Sequence, residues 1–183
     1  MNKDLYVFVD NSFMYIQGYS LVKRDITLPS NRKPQFNYFK FQKWLSLQGN
    51  IKRIVLVGSN LSGNLIANCQ QRGFEVITLP RFLDKLTDKE KEKGVDQRLC
   101  WEIAKTIFTN KEPTSNKKIV LCTGDKDFAS IFNDIQTSSW ALDVIVWENA
   151  VSKAFVRQTE VFGQVQIIGK EWRRFIDIVD KRK

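Results

Sequence analysis

The chain has 183 residues, with 29 basic and 20 acidic side chains that give a formal net charge of +9 at neutral pH. This length suits one α/β domain with its own core and is short for two. The absence of histidine excludes Ser-His-Asp and Cys-His catalysis, and nucleases that use imidazole as acid and base.

The predicted elements alternate between short apolar strands and amphipathic helices. Strands are predicted at residues 5–9, 53–57, 74–79, 119–122 and 142–147, with a weaker sixth at 165–168. Helices are predicted at residues 36–48, 61–72, 95–108, 128–136, 151–157 and 171–179, the last within a basic C-terminal helix of residues 170–183. This alternation predicts a single domain over residues 1–183, of the α/β class, with a parallel sheet of five or six strands and helices on both faces.

The segment between the third strand and the helix at 95–108 is rich in charge, with the sequence RFLDKLTDKEKEK at residues 81–93. Its alternating charges can be solvated without packing. We therefore expect the most mobile internal segment here, beside the functional edge of the sheet. A turn-rich stretch is expected at residues 28–35 and a further loop at 111–117.

Four aspartates lie where an α/β sheet would gather them. Asp10 follows the first strand, Asp125 and Asp127 follow the strand at 119–122, and Asp96 begins a helix. In open α/β sheets the functional crevice lies outside the carboxyl ends of the strands. Carboxylates that converge there repel one another by about 1 kcal/mol per pair at 4 Å even in water. A protein keeps such a cluster when cations neutralise it, and hard oxygen ligands favour Mg²⁺ or Mn²⁺.

Each of these acids also has a purely structural explanation. Asp96 would suit a helix N-terminus through the macrodipole, yet it lies on the inward stripe of its helix with Leu99. Asp10 would suit an Asx-turn or an N-cap. One of Asp125 and Asp127 would cap the next helix. Because a helix needs one cap, the second acid is left over for function.

Further polar residues lie near these positions in the sequence. The hydroxyl of Thr123 could position a water or a phosphate. Glu102 lies about 120° from the Asp96 stripe, so it is expected to be a solvated flank or a supporting residue. Glu148, after the fifth strand, is a weaker candidate for the crevice rim, and Glu92 is expected to be an ordinary surface charge.

The positive charge is concentrated in the two ends of the chain. Residues 1–60 carry nine basic and three acidic side chains, and residues 170–183 carry six and three. Basic flanks around an acidic centre suit a polyanion held beside a metal site, with general solubility charge as the alternative. The residues predicted to contact nucleic acid are Lys23, Arg24, Arg32, Lys33, Lys40 and Lys43.

The three cysteines Cys69, Cys100 and Cys122 form no CxxC pair and fall in apolar patterns. We expect reduced core thiols in an intracellular, cytoplasmic protein. No apolar run approaches the ~20 residues that a membrane span needs, and the charged start MNKDLYVFVD is not expected to be a signal peptide. The sequence predicts no membrane association and leaves the oligomeric state open.

Four segments together resemble a known family. VFVDNS, KGVDQRL, CTGDKDFASIFNDIQ and VIVWENAVSKAFVRQTEVF occur in this order and are similar to segments of NYN domains, in the PIN-like nuclease superfamily. The resemblance covers roughly residues 4–168, and the pairing of GVD with TGDKDF is its most specific part.

The resemblance implies a parallel sheet of order 3-2-1-4-5 and an Mg²⁺- or Mn²⁺-dependent ribonuclease. By position, the implied acid site consists of Asp10, Asp96, Asp125 and Asp127, with Asn11 and Thr123 beside it. Two positions depart from the family pattern. Phe13 stands where a further Asn is common, and Glu102 supplies the acid six residues after the GVD aspartate.

The leading hypothesis is a metal-dependent ribonuclease in which Asp10, Asp96 and Asp125 hold one or two divalent ions. Asp127 would be a fourth ligand or would orient the attacking water. The alternative is a non-catalytic module of the same fold that binds RNA or a partner. A third possibility, a phosphatase, is weakened because the DNS sequence after the first strand lacks the DxD nucleophile pattern.

Overall fold

The computed structural model describes residues 3–84, 89–110, 116–151, 153–169 and 171–181. The strands are β1 (Asp4–Asp10), β2 (Arg32–Phe36), β3 (Asn50–Ser59), β4 (Glu75–Leu79), β5 (Phe82–Asp84), β6 (Lys89–Lys91), β7 (Lys117–Cys122), β8 (Ala141–Trp147), β9 (Gln164–Ile168) and β10 (Ile176–Asp180). The α-helices are α1 (Asn11–Asp25), α2 (Tyr38–Ser46), α3 (Gly63–Gln70), α4 (Val95–Thr109), α5 (Ala129–Thr137) and α6 (Lys153–Glu160). No described helix is both long enough and apolar enough to cross a membrane.

The main sheet has six strands in the order β4-β3-β1-β7-β8-β9. Every neighbouring pair in it is parallel. Numbered along this sheet alone, the order is 3-2-1-4-5-6, and each of the six predicted strands overlaps one of its members. The predicted α/β fold is therefore confirmed, with the sixth strand extending the predicted order at one edge.

Hydrophobic side chains fill both faces of this sheet. Because side chains alternate along a strand, Val7 and Val9 of β1 enter the core that α1 and α2 cover. Tyr6 and Phe8 enter the opposite core, which α4, α5 and α6 cover. Burial on both faces explains why the central strands have nearly continuous apolar sequences.

The prediction of a C-terminal helix within residues 170–183 is wrong. A short 3-10 helix, Trp172–Arg174, leads instead into β10, which pairs antiparallel with β2. The β-branched side chains of β10 favour a strand, and Ile176 is buried against the first core. The partner strand β2 lies in the stretch that was predicted to be turns.

Two other segments differ from the sequence prediction. Residues 11–25 form α1, which carries no strong apolar stripe and was not predicted. No regular element was predicted in the charged segment 81–93, but β5 and β6 form an antiparallel pair within it. Its expected mobility stays a prediction. Residues 85–88, between these two strands, lie outside the described residues, as do residues 111–115 of the predicted loop at 111–117.

Glu102 is neither a solvated flank nor part of the acid cluster. Only 2% of its surface is exposed, and its carboxylate accepts from Arg53 at 2.6 Å and from Arg98 at 2.8 Å. Arg53 also donates to Glu75 on β4. Arg53 on β3 is level with Tyr6 of β1, and Tyr6 lies four residues before Asp10 on that strand. Glu102 therefore joins α4 to the middle of the sheet.

Replacing Arg53 with methionine should leave the buried Glu102 carboxylate with Arg98 as its remaining cationic partner. Breaking one side of a buried ion pair typically costs about 3–5 kcal/mol, and we expect a loss of that order in the free energy of unfolding, measured by urea denaturation. Lys52→Met is the control, since Lys52 is exposed and 3.8 Å from Asp4. It should change stability by less than about 1 kcal/mol. Equal losses in the two variants would contradict this assignment.

Candidate active site

The carboxyl ends of the two central strands place Asp10 and Thr123 side by side. Asp10 ends β1, and Thr123 directly follows β7, whose Cys122 is level with Val9. From β1 the sheet is built outward in both directions, with β3 and β4 on one side and β7, β8 and β9 on the other. The strand order therefore reverses between β1 and β7. Ligands of open α/β sheets bind at such points.

Asp10 is both a helix cap and a buried acid. It is 7% exposed, and one carboxylate oxygen accepts from the backbone N–H of Phe13 at 3.0 Å, which caps α1. The hydroxyl of Thr123 donates to the other oxygen at 3.4 Å. Burial raises the pKa of Asp10 to about 7, and the negative charges of Asp96 and Glu92 act in the same direction.

Asp96 lies in the first turn of α4, half-buried at the same edge. Gly94 precedes this helix with a φ of +86°, a conformation that glycine adopts without strain. Burial raises the pKa of Asp96, and Asp125, Asp127 and Glu92 add to the rise by repulsion. The structure therefore brings Asp96 near the acids that follow β7.

Asp125 and Asp127 form the exposed side of the cluster. Asp125 caps the 3-10 helix Lys126–Phe128 by accepting from the N–H of Asp127 at 3.0 Å. The N–H of Asp125 donates to the Thr123 hydroxyl at 3.3 Å, so Thr123 links Asp125 to Asp10. Asp125 thus caps this 3-10 helix, and the side chain of Asp127 is not needed for capping.

A cleft of about 290 Å³ opens between these elements, and Asp10, Asp96 and Asp125 all line it. Its walls also include Phe13 and Ile16 of α1.

Glu92 also lines this cleft, although it was expected to be a surface charge. The hydroxyl of Ser12 donates to one oxygen of its carboxylate, and the other oxygen is buried without a hydrogen-bond partner among the described residues. In the sequence, Glu92 is one acid in a run of alternating charges. Only its position just before the GVD motif distinguishes it there.

Phe13, which lines the cleft, packs closely against Gly124. A Cβ atom on Gly124 would lie 2.7 Å from the Phe13 ring and 2.9 Å from the carbonyl oxygen of Ala150. Glycine is therefore required for this close approach. The ring of Phe13 occupies space where a shorter polar side chain would leave room.

Asn11 faces away from the cleft. Its side-chain carbonyl accepts from the hydroxyl of Tyr38 at 2.6 Å, and its side chain packs against Gly58. It is not among the residues that line the cleft. Asn11 thus supports the start of α1 from the side of β3.

Three of the six residues predicted to contact nucleic acid form ion pairs, mostly with acids that are distant in the sequence. Arg24 pairs with Asp25 and Glu148, Arg32 with Asp180, and Lys40 with Asp177. Lys43 lies in a separate groove at the amino end of β3. The ammonium of Lys23 lies 4.6 Å from the centroid of the Tyr19 ring, and Lys33 is half-buried on β2.

The donor chemistry of the cleft fits a hard divalent cation. Every charged group that shifts the pKa of Asp10 or Asp96 is another carboxylate. Within the described ranges, one buried oxygen of Glu92 has no hydrogen-bond partner. Carboxylate oxygens are the ligands that Mg²⁺ and Mn²⁺ prefer. Across the described part of the chain, however, no three acids are already close enough to coordinate one ion.

The pKa of Asp10 makes stability depend on pH in a definite direction. Between about pH 4 and 7 the unfolded chain has lost this proton while the folded protein keeps it, so the free energy of unfolding falls as the pH rises. The loss amounts to about 4 kcal/mol at most. Asp10→Asn can still cap α1 but has no carboxylate to titrate. In urea denaturation with EDTA, the free energy of unfolding of this variant should therefore lose most of its decrease between pH 5 and 8.

The control for this prediction is Asp134→Asn, which changes one exposed acid on α5. It should keep the wild-type pH dependence. An Asp10→Asn variant that loses as much stability as the wild type between pH 5 and 8 would contradict the assignment.

Comparison with known proteins identifies the family. The family model of the NYN domain matches residues 4–165. A solved structure of a protein of unknown function from Vibrio parahaemolyticus has a TM-score of 0.67 and 14% sequence identity, over 96% of this chain and 98% of that chain. At that identity the likeness shows the fold alone. A search of curated proteins finds no match. Because the NYN model spans most of the sequence, this chain belongs to the NYN domain family, a PIN-like nuclease family.

Proposed function

We propose that this protein is a metal-dependent ribonuclease that hydrolyses RNA phosphodiester bonds in the acidic cleft. The observation that carries the proposal is the convergence of Asp10, Asp96 and Asp125 on one cleft at the sheet's reversal point. Membership of the NYN family adds support, since it is generally a family of ribonucleases. RNA is the proposed substrate and partner.

The residues proposed to hold one or two Mg²⁺ or Mn²⁺ ions are Asp10, Asp96 and Asp125, with Asp127 as a further ligand or as the residue that orients the attacking water. When bound, such an ion supplies positive charge beside the scissile phosphate and lowers the pKa of water toward neutrality. Asp10 would give up its proton on binding, because a ligating carboxylate must be ionised.

The remaining roles belong to the groups around these acids. Thr123 would fix the orientation of Asp10, to which it donates, and would hold the backbone of Asp125. The chain has no histidine that could activate a ribose 2′-hydroxyl. We therefore propose that water is the nucleophile, with a 5′-phosphate and a 3′-hydroxyl as products.

Glu92 is proposed as an additional acid of this site. Glu92 lines the same cleft, and Ser12 donates to one of its carboxylate oxygens. The other oxygen is buried with no hydrogen-bond partner in the described part of the chain. Glu92→Gln keeps an oxygen that can accept from Ser12. It removes one of the charges that raise the pKa values of Asp10 and Asp96.

We expect Glu92→Gln to weaken Mn²⁺ binding by roughly 10- to 100-fold in calorimetric titration, the range for residues that support metal ligands. The matched control is Glu90→Gln, two residues earlier on β6, where the side chain is 60% exposed and 3.8 Å from Arg81. Glu90→Gln should leave Mn²⁺ affinity unchanged. If both variants bind Mn²⁺ as tightly as the wild type, Glu92 has no part in the site.

A second candidate function is a non-catalytic module that binds RNA or a partner. One observation favours it: in the described residues, the acids are not gathered closely enough to coordinate an ion. Phe13, which forms a wall of the cleft, favours it as well. Such a module would bind RNA without cutting it.

Asp96→Asn distinguishes the two functions. The change keeps the side-chain volume and removes one charge. Hydrolysis of a labelled single-stranded RNA with Mn²⁺ should fall by about 100-fold or more, since losing a transition-state electrostatic interaction typically costs about 3 kcal/mol. Stability in EDTA should rise, because Asp96 then no longer repels its acidic neighbours.

The control is Asp134→Asn, on the exposed face of α5, which should cut RNA at the wild-type rate. Two outcomes would remove the nuclease proposal. One is cleavage by Asp96→Asn at the wild-type rate. The other is a wild-type protein that binds RNA but does not cut it with either Mg²⁺ or Mn²⁺.

A further inference from the structure

The outer face of α1 carries a row of side chains that begins at the cleft. Ser12, Ile16, Tyr19 and Lys23 follow one another at intervals of four, three and four residues, so they share one side of the helix. Ser12 and Ile16 line the cleft, and Ile16 is 54% exposed. The row therefore leads directly out of the proposed site.

Two tyrosine rings lie along this row. Tyr15 is 41% exposed, and its ring centroid is 6.3 Å from that of Tyr19, with an angle of 30° between the ring planes. The two rings thus lie side by side, tilted by 30°, without stacking on each other. Tyr15 can present a flat face to a ligand, and the half-buried Tyr19 can do so when Lys23 moves off its ring.

Lys23 supplies a positive charge at the outer end of the row. Its ammonium rests 4.6 Å from the centroid of the Tyr19 ring. The neighbouring Arg24, in contrast, is paired with Asp25 and Glu148. Lys23 is itself exposed, and because cation–π contacts of exposed ammonium groups are weak, it can turn toward a phosphate at little cost.

We infer that this face binds single-stranded RNA, with bases stacked on Tyr15 and Tyr19 and a phosphate held by Lys23. The inference rests on the proposed function, since it names the form of RNA that reaches the cleft. Aromatic rings accept any base and commonly bind single strands together with basic residues. The 6.3 Å between the rings is almost twice the ~3.4 Å between stacked bases. Two neighbouring bases that stack on these rings therefore cannot also stack on each other, as they do in a duplex.

Charge and continuity select this face over the other exposed aromatic residues. Tyr15 directly precedes Ile16, which lines the cleft. Trp101 and Phe108 on α4 are 62% and 75% exposed, but they lie five and twelve residues beyond Asp96, the last residue of that helix that lines the cleft. Phe39 on α2 lines the separate groove at the amino end of β3. Lys23 adds an exposed cation to the same side of α1. With a net charge of +9, the protein suits a polyanion.

The test measures binding of a fluorescein-labelled single-stranded RNA by anisotropy in EDTA, where cleavage does not interfere. Tyr15→Ala and Tyr19→Ala should each weaken binding by roughly 10-fold or more. Tyr15→Phe and Tyr19→Phe keep the rings and should bind as the wild type does. None of these four tyrosine variants should alter the salt dependence of RNA affinity. Lys23→Ala should reduce the slope of log affinity against log salt by about 0.7, the value for one phosphate contact on a single strand.

Phe108→Ala is the control for loss of an exposed aromatic ring and should not change affinity. Three results would overturn the inference: unchanged affinity in both Tyr→Ala variants, equal weakening for duplex RNA, or a change of oligomeric state in the Tyr→Ala variants by sedimentation. The last would assign this face to contact between copies of the chain.

The result also separates this inference from the proposed function. If the wild type cleaves RNA and both Tyr→Ala variants bind RNA as tightly as the wild type does, the inference is overturned and the proposed function is not. Tyrosine-dependent binding by a wild type that never cuts RNA upholds the inference and overturns the nuclease. A wild type that binds no RNA overturns both.

Discussion

The burial of Asp10 at the end of β1, beside other carboxylates, is the constraint on which the functional account depends. Asp10 is buried where the strand order reverses, and the charged groups that act on it are Asp96 and Glu92. Its pKa of about 7 expresses the cost of this arrangement. The fold brings α4 and the segment after β6 against this point, and among the described residues no cation contributes to the pKa of Asp10. The proposed role of a bound cation is to offset this accumulation of negative charge.

Glu92 and Glu102 show how surroundings give one residue type two different roles. Glu102 is almost fully buried, but Arg53 and Arg98 hold it, so it stabilises the packing of α4 on the sheet. Glu92 is half-buried, and among the described residues one of its oxygens is buried without a hydrogen-bond partner. Ion pairing makes the first acid structural, whereas the second lines the cleft and is proposed to serve a ligand.

Local patterns predicted the strands of the main sheet and the acids at the strand ends, because continuous apolar runs and the residues that follow them are visible in the sequence. The order of the strands followed from the resemblance to NYN domains. Partners distant in the chain were not visible. Arg32 and Lys40 appeared to be unopposed cations, since Asp180 and Asp177 reach them only through the pairing of β10 with β2. The helix predicted at the C-terminus failed for the same reason, because β10 forms only where β2 offers its edge.

Calorimetric titration of Mn²⁺ into the wild-type protein, in two buffers of different ionisation enthalpy, tests the central claim most directly. If the acids form a cation site, Mn²⁺ binds and displaces protons, since Asp10 is partly protonated near pH 7. The proton release should increase as the pH falls from 8 to 6. Failure to bind Mn²⁺, or binding without proton release over this range, would contradict the account.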